Sequence, residues 1–199
     1  YALCGDGCMM EGVTGEAASL AGHLKLSNLC WLYDNNHITI EGNTNLAFSE
    51  DVAARFFAYG WNVTRVADAN DLVLLDQALT TFQNHRDRPT LIIVDSHIAY
   101  GAPHKQDSSA AHGEPLGEEE IKLAKRSYGW PEEAHFLVPA GVPEHFRHLM
   151  GTRGRMAREQ WMARFATYRD AYPELADALS RMQRRELPDG GERGLPAFP

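Results

Sequence analysis

Short apolar runs alternate with helix-like segments along the first hundred residues of the chain. The runs have the length and residue types of buried strands, and they lie at 1–4 (YALC), 29–33 (LCWLY), 61–66 (WNVTRV) and 90–97 (TLIIVDSH). The segments between them space their apolar residues as helices do, at 13–24, 50–60 and 71–85. This order predicts an α/β fold: a doubly wound, mainly parallel sheet with helices on both faces.

Two of the predicted helices carry additional signals. Segment 13–24 is rich in small residues, and four apolar residues are expected to share its buried face: Ala17, Leu20, Ala21 and Leu24. Segment 50–60 follows Ser49, a residue type that is typical of a helix N-cap, and ends with Gly60. We therefore expect Ser49 to cap this helix.

The chain changes character after residue 116. Further helical segments are predicted at 117–129, 142–150, 156–172 and 173–187. One of them carries an aromatic stripe that we expect to pack against the sheet domain: Trp161, Phe165, Tyr168 and Tyr172. The last residues, LPDGGERGLPAFP, have the composition of a linker. We predict an α/β core at 1–116 that is incomplete at its N terminus, a helical extension packing on it at 117–187, and an interdomain linker at 188–199.

The charge balance limits the classes of partner. Nineteen Lys and Arg against 27 Asp and Glu give a formal net charge of −8, which argues against a nonspecific nucleic-acid surface. No apolar run approaches the length that crosses a bilayer, so no membrane partner is expected. The three cysteines have no metal-binding spacing, and we interpret them as free thiols in a reducing cytoplasm.

The sequence GDG at 5–7 directly follows the first predicted strand. Asp6 could close a hairpin turn, a common use of Asp-Gly, or it could be a metal ligand at the strand end. Asn36 follows the second predicted strand, 30 residues later (36 − 6 = 30). Ligands of parallel α/β sheets bind at the carboxyl ends of the strands, and carboxylate and carboxamide oxygens suit a hard cation such as Mg²⁺. Asn35 and Asn36 have a second interpretation, because either could form an Asx turn.

Three further residues are candidates for a functional role, and two of them, Glu11 and His112, also have a structural interpretation. Gly7 allows a diphosphate to approach the backbone, and the helix that follows points its N terminus at the same place. Glu11 is either a functional acid or a first-turn acid favoured by the helix dipole. His112 lies on a loop with Gly and Pro and is, without other information, an ordinary surface histidine. His97 and His104 are interpreted as structural or solvent-facing.

The segment GDGCMMEGVTGEAASLAGHLKLSNLCWLYDNNHITIEG resembles the thiamine diphosphate motif of transketolases. GDG followed by a helix, a strand and Asn is shared with pyruvate dehydrogenase and deoxyxylulose phosphate synthase, whereas EAASLAGHLKLSNL and ITIEG are more particular to transketolase. Further similar segments are EDVAARFFAYGWNV, HIAYGAP, HGEPLG and WMARFATYRDAYPELADAL. The resemblance extends over essentially all 199 residues.

The resemblance implies roles for particular residues. The side chains of Asp6 and Asn36 and the carbonyl of Ile38 would bind Mg²⁺, for which Ca²⁺ or Mn²⁺ could substitute. The residues that would bind thiamine diphosphate are Gly5, Asp6, Gly7, Asn36, Ile40, Ile98 and His112. Two residues would be catalytic: His112 would face the diphosphate and the reacting carbon, and Glu11 would be an acid near a dimer interface, linked to the glutamate that activates the cofactor.

The activity implied by the resemblance is that of a transketolase. Such an enzyme reversibly transfers a two-carbon ketol unit from a ketose phosphate to an aldose phosphate, as in the pentose phosphate pathway or the Calvin cycle. The partners would be sugar phosphates and a second copy of the enzyme in a homodimer.

The same resemblance implies that this chain is most of one domain of a longer enzyme. An N-terminal part, a pyrimidine-binding domain and a C-terminal domain would lie outside it, and the chain alone is expected to bind cofactor poorly and to be inactive. Two alternatives remain: a related thiamine diphosphate enzyme such as dihydroxyacetone synthase, and a non-catalytic fragment that serves as a binding or interface module.

Overall fold

The structure, a computed structural model, describes residues 1–188, 190, 191, 193 and 196. Its strands are β1 (Ala2–Gly5), β2 (Cys30–Asn35), β3 (Asn62–Val66) and β4 (Thr90–Asp95). Its α-helices are α1 (Asp6–Met10), α2 (Gly12–His23), α3 (Val52–Ala58), α4 (Leu72–Asn84), α5 (Glu118–Ser127), α6 (Val142–Phe146), α7 (Thr152–Ala171) and α8 (Pro173–Arg184). The predicted alternation is therefore present through β4, with small shifts at the element ends, and the short helix α1 is an addition to it.

The strands form one parallel sheet in the order β1-β2-β4-β3. The register pairs Cys4 with Tyr33 and Asn35 with Asp95. The fold-class prediction is confirmed. The hairpin interpretation of Asp6 is wrong, because β1 and β2 run parallel and are connected through α1 and α2.

Successive residues of the central strand β4 face two different cores, one on each side of the sheet. Leu91 and Ile93 belong to a cluster with residues of α1, α2 and α3, whereas Ile92 packs with Ala78 and Phe82 of α4. A strand that is apolar on both faces is typical of a parallel sheet covered on both sides. Helices therefore cover both faces, as predicted.

The buried face of α2 differs from the predicted one. Ala21 is buried as expected, but Ala17, Leu20 and Leu24 are exposed, and the buried face consists of Thr14, Ala18 and Ala21. The physical reason is a close approach: Gly22 lies against the backbone of Tyr59, where a Cβ atom would come 1.9 Å from the carbonyl oxygen. This contact turns the small-residue side of α2 toward the sheet.

The predicted cap of the third helix is also corrected. Helix α3 begins at Val52, and its N-cap is Asp51, whose side chain accepts a hydrogen bond of 3.0 Å from the Ala54 backbone N–H. Ser49 lies two residues before this N-cap. An acidic N-cap satisfies the same unpaired donors of the first turn as serine does.

The chain divides into two compact units, Tyr1–Ala134 and a second unit that begins at His135. Helix α5 belongs to the first unit, whereas α6, α7 and α8 belong to the second. The domain limits at 116 and 187 stay a prediction. Of the predicted linker, residues 189, 192, 194, 195 and 197–199 lie outside the described residues.

The aromatic stripe of α7 makes contacts within itself. Trp161 and Phe165 stack with their ring centroids 5.0 Å apart, and Tyr168 and Tyr172 follow at 5.2 Å from each other. Of the four, Phe165 is buried and the others remain partly exposed. Within the part of the chain that the structure describes, no helix combines the length and apolar character needed to cross a membrane.

Candidate cofactor site

Asp6 is a buried carboxylate at the carboxyl end of the sheet. It directly follows β1, and only 3% of its surface is exposed. The phenolic O–H of Tyr33 donates to its Oδ1 at 2.7 Å, and the backbone N–H groups of Asn36 and His37 donate to its Oδ2 at 3.2 and 3.0 Å. These donors hold the carboxylate in one orientation.

Parallel pairing of β1 with β2 brings these groups together. The register places Tyr33 opposite Cys4, so its side chain reaches the residue that follows β1, and the turn after β2 ends beside the same carboxylate. His37 has a φ of 62°, in the left-handed region, which lets the turn direct two successive N–H groups at Asp6. A carboxylate has about four lone-pair positions, so three donors leave one for a further ligand.

The sequence left open whether Asn35 or Asn36 forms an Asx turn, and in the structure Asn36 forms it. Its Oδ1 accepts a hydrogen bond of 3.0 Å from the Ile38 backbone N–H, and its Nδ2 donates to Asp34 at 3.2 Å. The same oxygen retains a second lone pair. Its role as a metal ligand stays a prediction that this geometry permits.

Ile38 and Ile40 lie on a tight ribbon that follows this turn. The ribbon is closed by hydrogen bonds from the Thr39 N–H to Gly42 and from the Thr44 N–H to His37, at 2.8 and 2.9 Å. Ile38 is buried, and no hydrogen bond among the described residues ends on its carbonyl oxygen. Ile40, at the tip, is 73% exposed.

The glycines on either side of Asp6 have free space beside them. Neither Gly5 nor Gly7 has a positive φ, and a Cβ atom added to either would meet no atom within 4 Å. The backbone of this chain therefore does not itself require glycine at these positions. Space at a strand end, next to a fixed carboxylate, fits a diphosphate that approaches the backbone closely.

A second group of charges occupies the ends of β2, β3 and β4. Arg65 binds Asp95 through two hydrogen bonds of 2.7 and 2.8 Å, and the Asn35 side chain donates to Asp95 at 2.7 Å. Burial acts to raise the pKa of Asp95, but the hydrogen bonds from Arg65 and Asn35 outweigh it and hold that pKa below its usual value. A cavity of about 350 Å³, lined partly by Arg65, Asn35, His37 and Asp6, adjoins this group.

The remaining predicted site residues make no hydrogen bond with Asp6 or Asn36. Glu11 is exposed at the N-cap position of α2, between α1 and α2. Ile98 is half-buried, and its carbonyl accepts a hydrogen bond of 3.1 Å from the Asp107 N–H. His112 is exposed directly after the 3₁₀ turn Ser109–Ala111. Their functional roles stay predictions.

The two other histidines of this loop have structural partners. His97 pairs with Asp107 through Nδ1 at 2.9 Å, and His104 pairs with the buried carboxylate of Glu120 at 2.8 Å. Two hydrogen bonds from His104 lower the pKa of Glu120, and the one from the backbone N–H has a larger effect than the one from the side chain. Both side chains also remain more than half exposed, so the interpretation of these histidines as structural or solvent-facing stays unchanged.

Sequence reasoning missed Tyr33 as a residue of the site. Tyr33 is buried in the core cluster, and burial together with its hydrogen bond to Asp6 raises its pKa well above the ordinary value. In the sequence it is simply one apolar residue of a buried strand. The available signal is the hydroxyl group, because a buried tyrosine usually needs a hydrogen-bond partner.

The oxygen donors of Asp6, Asn36 and Ile38 indicate the class of site. No cluster of three or more His, Cys, Asp or Glu side chains in the described part of the chain could hold a metal, so a cation would depend on mixed oxygen donors. A carboxylate, a carboxamide and a free backbone carbonyl are hard oxygen donors that suit Mg²⁺. The fold is that of a doubly wound α/β domain, and the candidate ligand site lies at its strand ends.

Comparison with known proteins gives the family. A family model described as "Transketolase, thiamine diphosphate binding domain" matches residues 1–188. Over 198 residues the chain is 48% identical to the transketolase of Geobacillus stearothermophilus, a match that covers 100% of this chain and 30% of that protein. The chain belongs to the transketolase family.

Solved structures agree with this assignment. Transketolase from Leishmania mexicana superposes with a TM-score of 0.81 at 36% identity, over 99% of this chain and 29% of that chain. A complex of Pichia stipitis transketolase with sedoheptulose 7-phosphate gives a TM-score of 0.80 at 38% identity, over 98% of this chain and 29% of that chain. The chain thus spans less than a third of the length of these relatives.

Proposed function

We propose that this chain forms the Mg²⁺ and diphosphate half of the thiamine diphosphate site of a transketolase. The enzyme would reversibly transfer a two-carbon ketol unit from a ketose phosphate to an aldose phosphate. The observation that carries the proposal is the Asp6 carboxylate, which three hydrogen-bond donors fix at the end of β1, beside Asn36. Family membership supports the same assignment.

The proposed metal ligands are Asp6, Asn36 and the carbonyl of Ile38. Mg²⁺ takes few protein ligands and completes its octahedron with water and phosphate oxygens, so a set of three oxygens is sufficient. Ca²⁺ and Mn²⁺ also accept oxygen ligands and could substitute. The free space beside Gly5 and Gly7, the neighbours of Asp6 in the chain, supports a diphosphate bound next to the metal.

The other predicted residues would act around the bound cofactor. When bound, thiamine diphosphate supplies the carbon nucleophile that accepts the ketol unit. Ile40, which is exposed on its ribbon, and Ile98 would contact the cofactor. His112 would contact the diphosphate and substrate oxygens, and Glu11 would lie near the interface with a second subunit.

The activity would belong to the whole polypeptide rather than to this chain alone. The relatives are about three times longer, which supports further domains that would complete the site. The proposed enzyme is a cytoplasmic homodimer that acts on sugar phosphates in a pathway of the pentose phosphate type. Sedoheptulose 7-phosphate bound to the Pichia stipitis relative supports the substrate class.

An assay of the full-length protein tests this function. With thiamine diphosphate, Mg²⁺ and a ketose phosphate donor, we expect ketol transfer to ribose 5-phosphate and much slower transfer to formaldehyde. Faster transfer to formaldehyde would identify a dihydroxyacetone synthase. No transfer to either acceptor, with a folded protein, would favour the non-catalytic alternative.

A variant pair assigns the role of His112 in the same assay. His112→Ala is expected to lower kcat/KM by about 100-fold, because removing one hydrogen-bond donor to the reacting oxygens costs on that order. His145→Ala, in the separate C-terminal unit, is the matched control and should leave the rate unchanged. Equal activity of both variants would remove His112 from the site.

A further inference from the structure

Tyr33 and Asp6 form a buried pair that the proposed ligand set does not include. Each is 3% exposed, and the distance from the Tyr33 hydroxyl to Oδ1 of Asp6 is 2.7 Å. The other two donors to Asp6 are backbone N–H groups, so within the described residues Tyr33 is the side chain that orients this carboxylate.

The tyrosine is itself held rigidly. Strand β2 lies between β1 and β4, so its backbone is paired on both sides. The ring packs in the core cluster with Met9 and Ile93. A donor on a central strand, with its ring in a close-packed core, keeps one position and direction.

We propose that Tyr33 is a positioning residue for the cation: its O–H group holds Asp6 so that the remaining lone pair of the carboxylate points at the metal. The inference rests on the proposed function, since it concerns the orientation of Asp6, which is a metal ligand only under that proposal. Hydrogen bonds from a second layer of residues orient metal ligands in this way, and their loss typically weakens metal binding by 10- to 100-fold.

The alternative is that Tyr33 only fills the core. The two roles belong to different parts of the side chain, because the ring packs against apolar neighbours whereas the hydroxyl contacts Asp6. Tyr33→Phe keeps the ring and removes the donor. It is therefore expected to fold, which near-UV circular dichroism checks.

The experiment uses the full-length protein with saturating thiamine diphosphate and Mn²⁺ as the probe, whose free concentration is measured by electron paramagnetic resonance. Tyr33→Phe should weaken Mn²⁺ binding about 10-fold. In steady-state kinetics with Mg²⁺, its apparent KM for the metal should rise about as much, while kcat at saturating metal stays within about twofold.

Tyr59→Phe is the matched control. Tyr59 packs against the same core cluster, and its hydroxyl makes no hydrogen bond with Asp6, so the metal affinity should not change. A purely structural loss would lower kcat through the fraction of folded enzyme and would leave the KM for the metal unchanged.

The outcomes separate the two proposals. Unchanged affinity in Tyr33→Phe, with a wild type that binds Mn²⁺, overturns the positioning role and leaves the proposed function intact. Equal weakening in Tyr33→Phe and Tyr59→Phe also overturns it. A folded wild type that binds no Mn²⁺ with the cofactor contradicts the proposed function and this inference together.

Discussion

The side chain of Asn35 donates a hydrogen bond of 2.7 Å to Asp95, its register partner on the neighbouring strand. Asn35 ends β2 and Asp95 ends β4, so the contact ties together two strand ends at the edge where the proposed site lies. Arg65, from β3, completes the link with two further hydrogen bonds to Asp95. Three adjacent strands are thus joined by one carboxylate.

The charge on Asp95 makes this link dependent on pH. Because its folded-state pKa lies below the unfolded value of about 3.9, the stabilisation is fully present above that value and is lost as the pH falls through the folded pKa. Asp95→Asn should lower the free energy of unfolding by about 1 kcal/mol at pH 7, a modest value because the Arg65 pair is partly exposed.

Urea unfolding at several pH values measures this effect. The difference between wild type and Asp95→Asn should shrink as the pH falls below about 3.9, the unfolded pKa of an aspartate. Asp76→Asn, at an exposed position of α4, is the control and should show no such convergence. A difference that stays constant down to pH 3 would show that the carboxylate charge does not stabilise the strand ends.

Substitution of Gly7 by Ala should lower the affinity for the cofactor without lowering the stability of the fold. Gly7 lies within α1 without a positive φ, and a Cβ atom there would meet nothing within 4 Å, so Gly7→Ala should be neutral or should stabilise the fold by up to about 1 kcal/mol. The added methyl group would occupy the space assigned to the diphosphate, so affinity for thiamine diphosphate should fall at least 10-fold.

Calorimetric titration and thermal unfolding of the full-length protein measure the two quantities. Gly154→Ala, another helical glycine with free space, is the control and should leave the affinity unchanged. Wild-type affinity in Gly7→Ala would mean that the diphosphate lies elsewhere.

Gly22 tests the packing of α2. A Cβ atom there would lie 1.9 Å from the Tyr59 carbonyl oxygen and 3.0 Å from the carbonyl carbon, so α2 or the chain at Tyr59 must shift. Gly22→Ala should destabilise the protein by about 2 kcal/mol, because overpacking outweighs the gain in helix propensity.

Gly15→Ala, on the same helix, is the comparison for this prediction. Its Cβ atom would be 3.4 Å from the Tyr59 hydroxyl oxygen, an ordinary contact, so it should be neutral or slightly stabilising. Denaturant unfolding measures both variants. Equal stability of the two would mean that α2 is not fixed by the approach to Tyr59.

The sequence predicts the order of elements and the sheet type because these depend on local periodicity. The apolar residues of β4, for example, indicate a strand that is buried on both faces. The buried face of α2 could not be chosen in the same way. Two stripes of small or apolar residues compete on that helix, and the choice depends on the contact of Gly22 with Tyr59, 37 residues further along (59 − 22 = 37).

The candidate site shows the same difference between residues that local sequence indicates and residues whose role depends on long-range contacts. Asp6 and Asn36 can be proposed from the sequence because a residue type at a strand end carries chemical information. The hydrogen-bonding roles of Tyr33 and Asp95 could not be predicted, since they depend on strand register and pairing, which periodicity does not encode. The Asx turn could be assigned to Asn36 only after the partners of both asparagines were known.

The most direct test of the proposed site is a calorimetric titration of thiamine diphosphate into the full-length protein with Mg²⁺, repeated with EDTA and with Asp6→Ala. We predict tight binding by the wild type that EDTA abolishes. We also predict no measurable binding by Asp6→Ala, with its folding checked by circular dichroism. Asp68→Ala, which removes a carboxylate that follows β3, should bind as the wild type does. Binding by folded Asp6→Ala with wild-type affinity and Mg²⁺ dependence would contradict the assignment of Asp6 as the metal ligand.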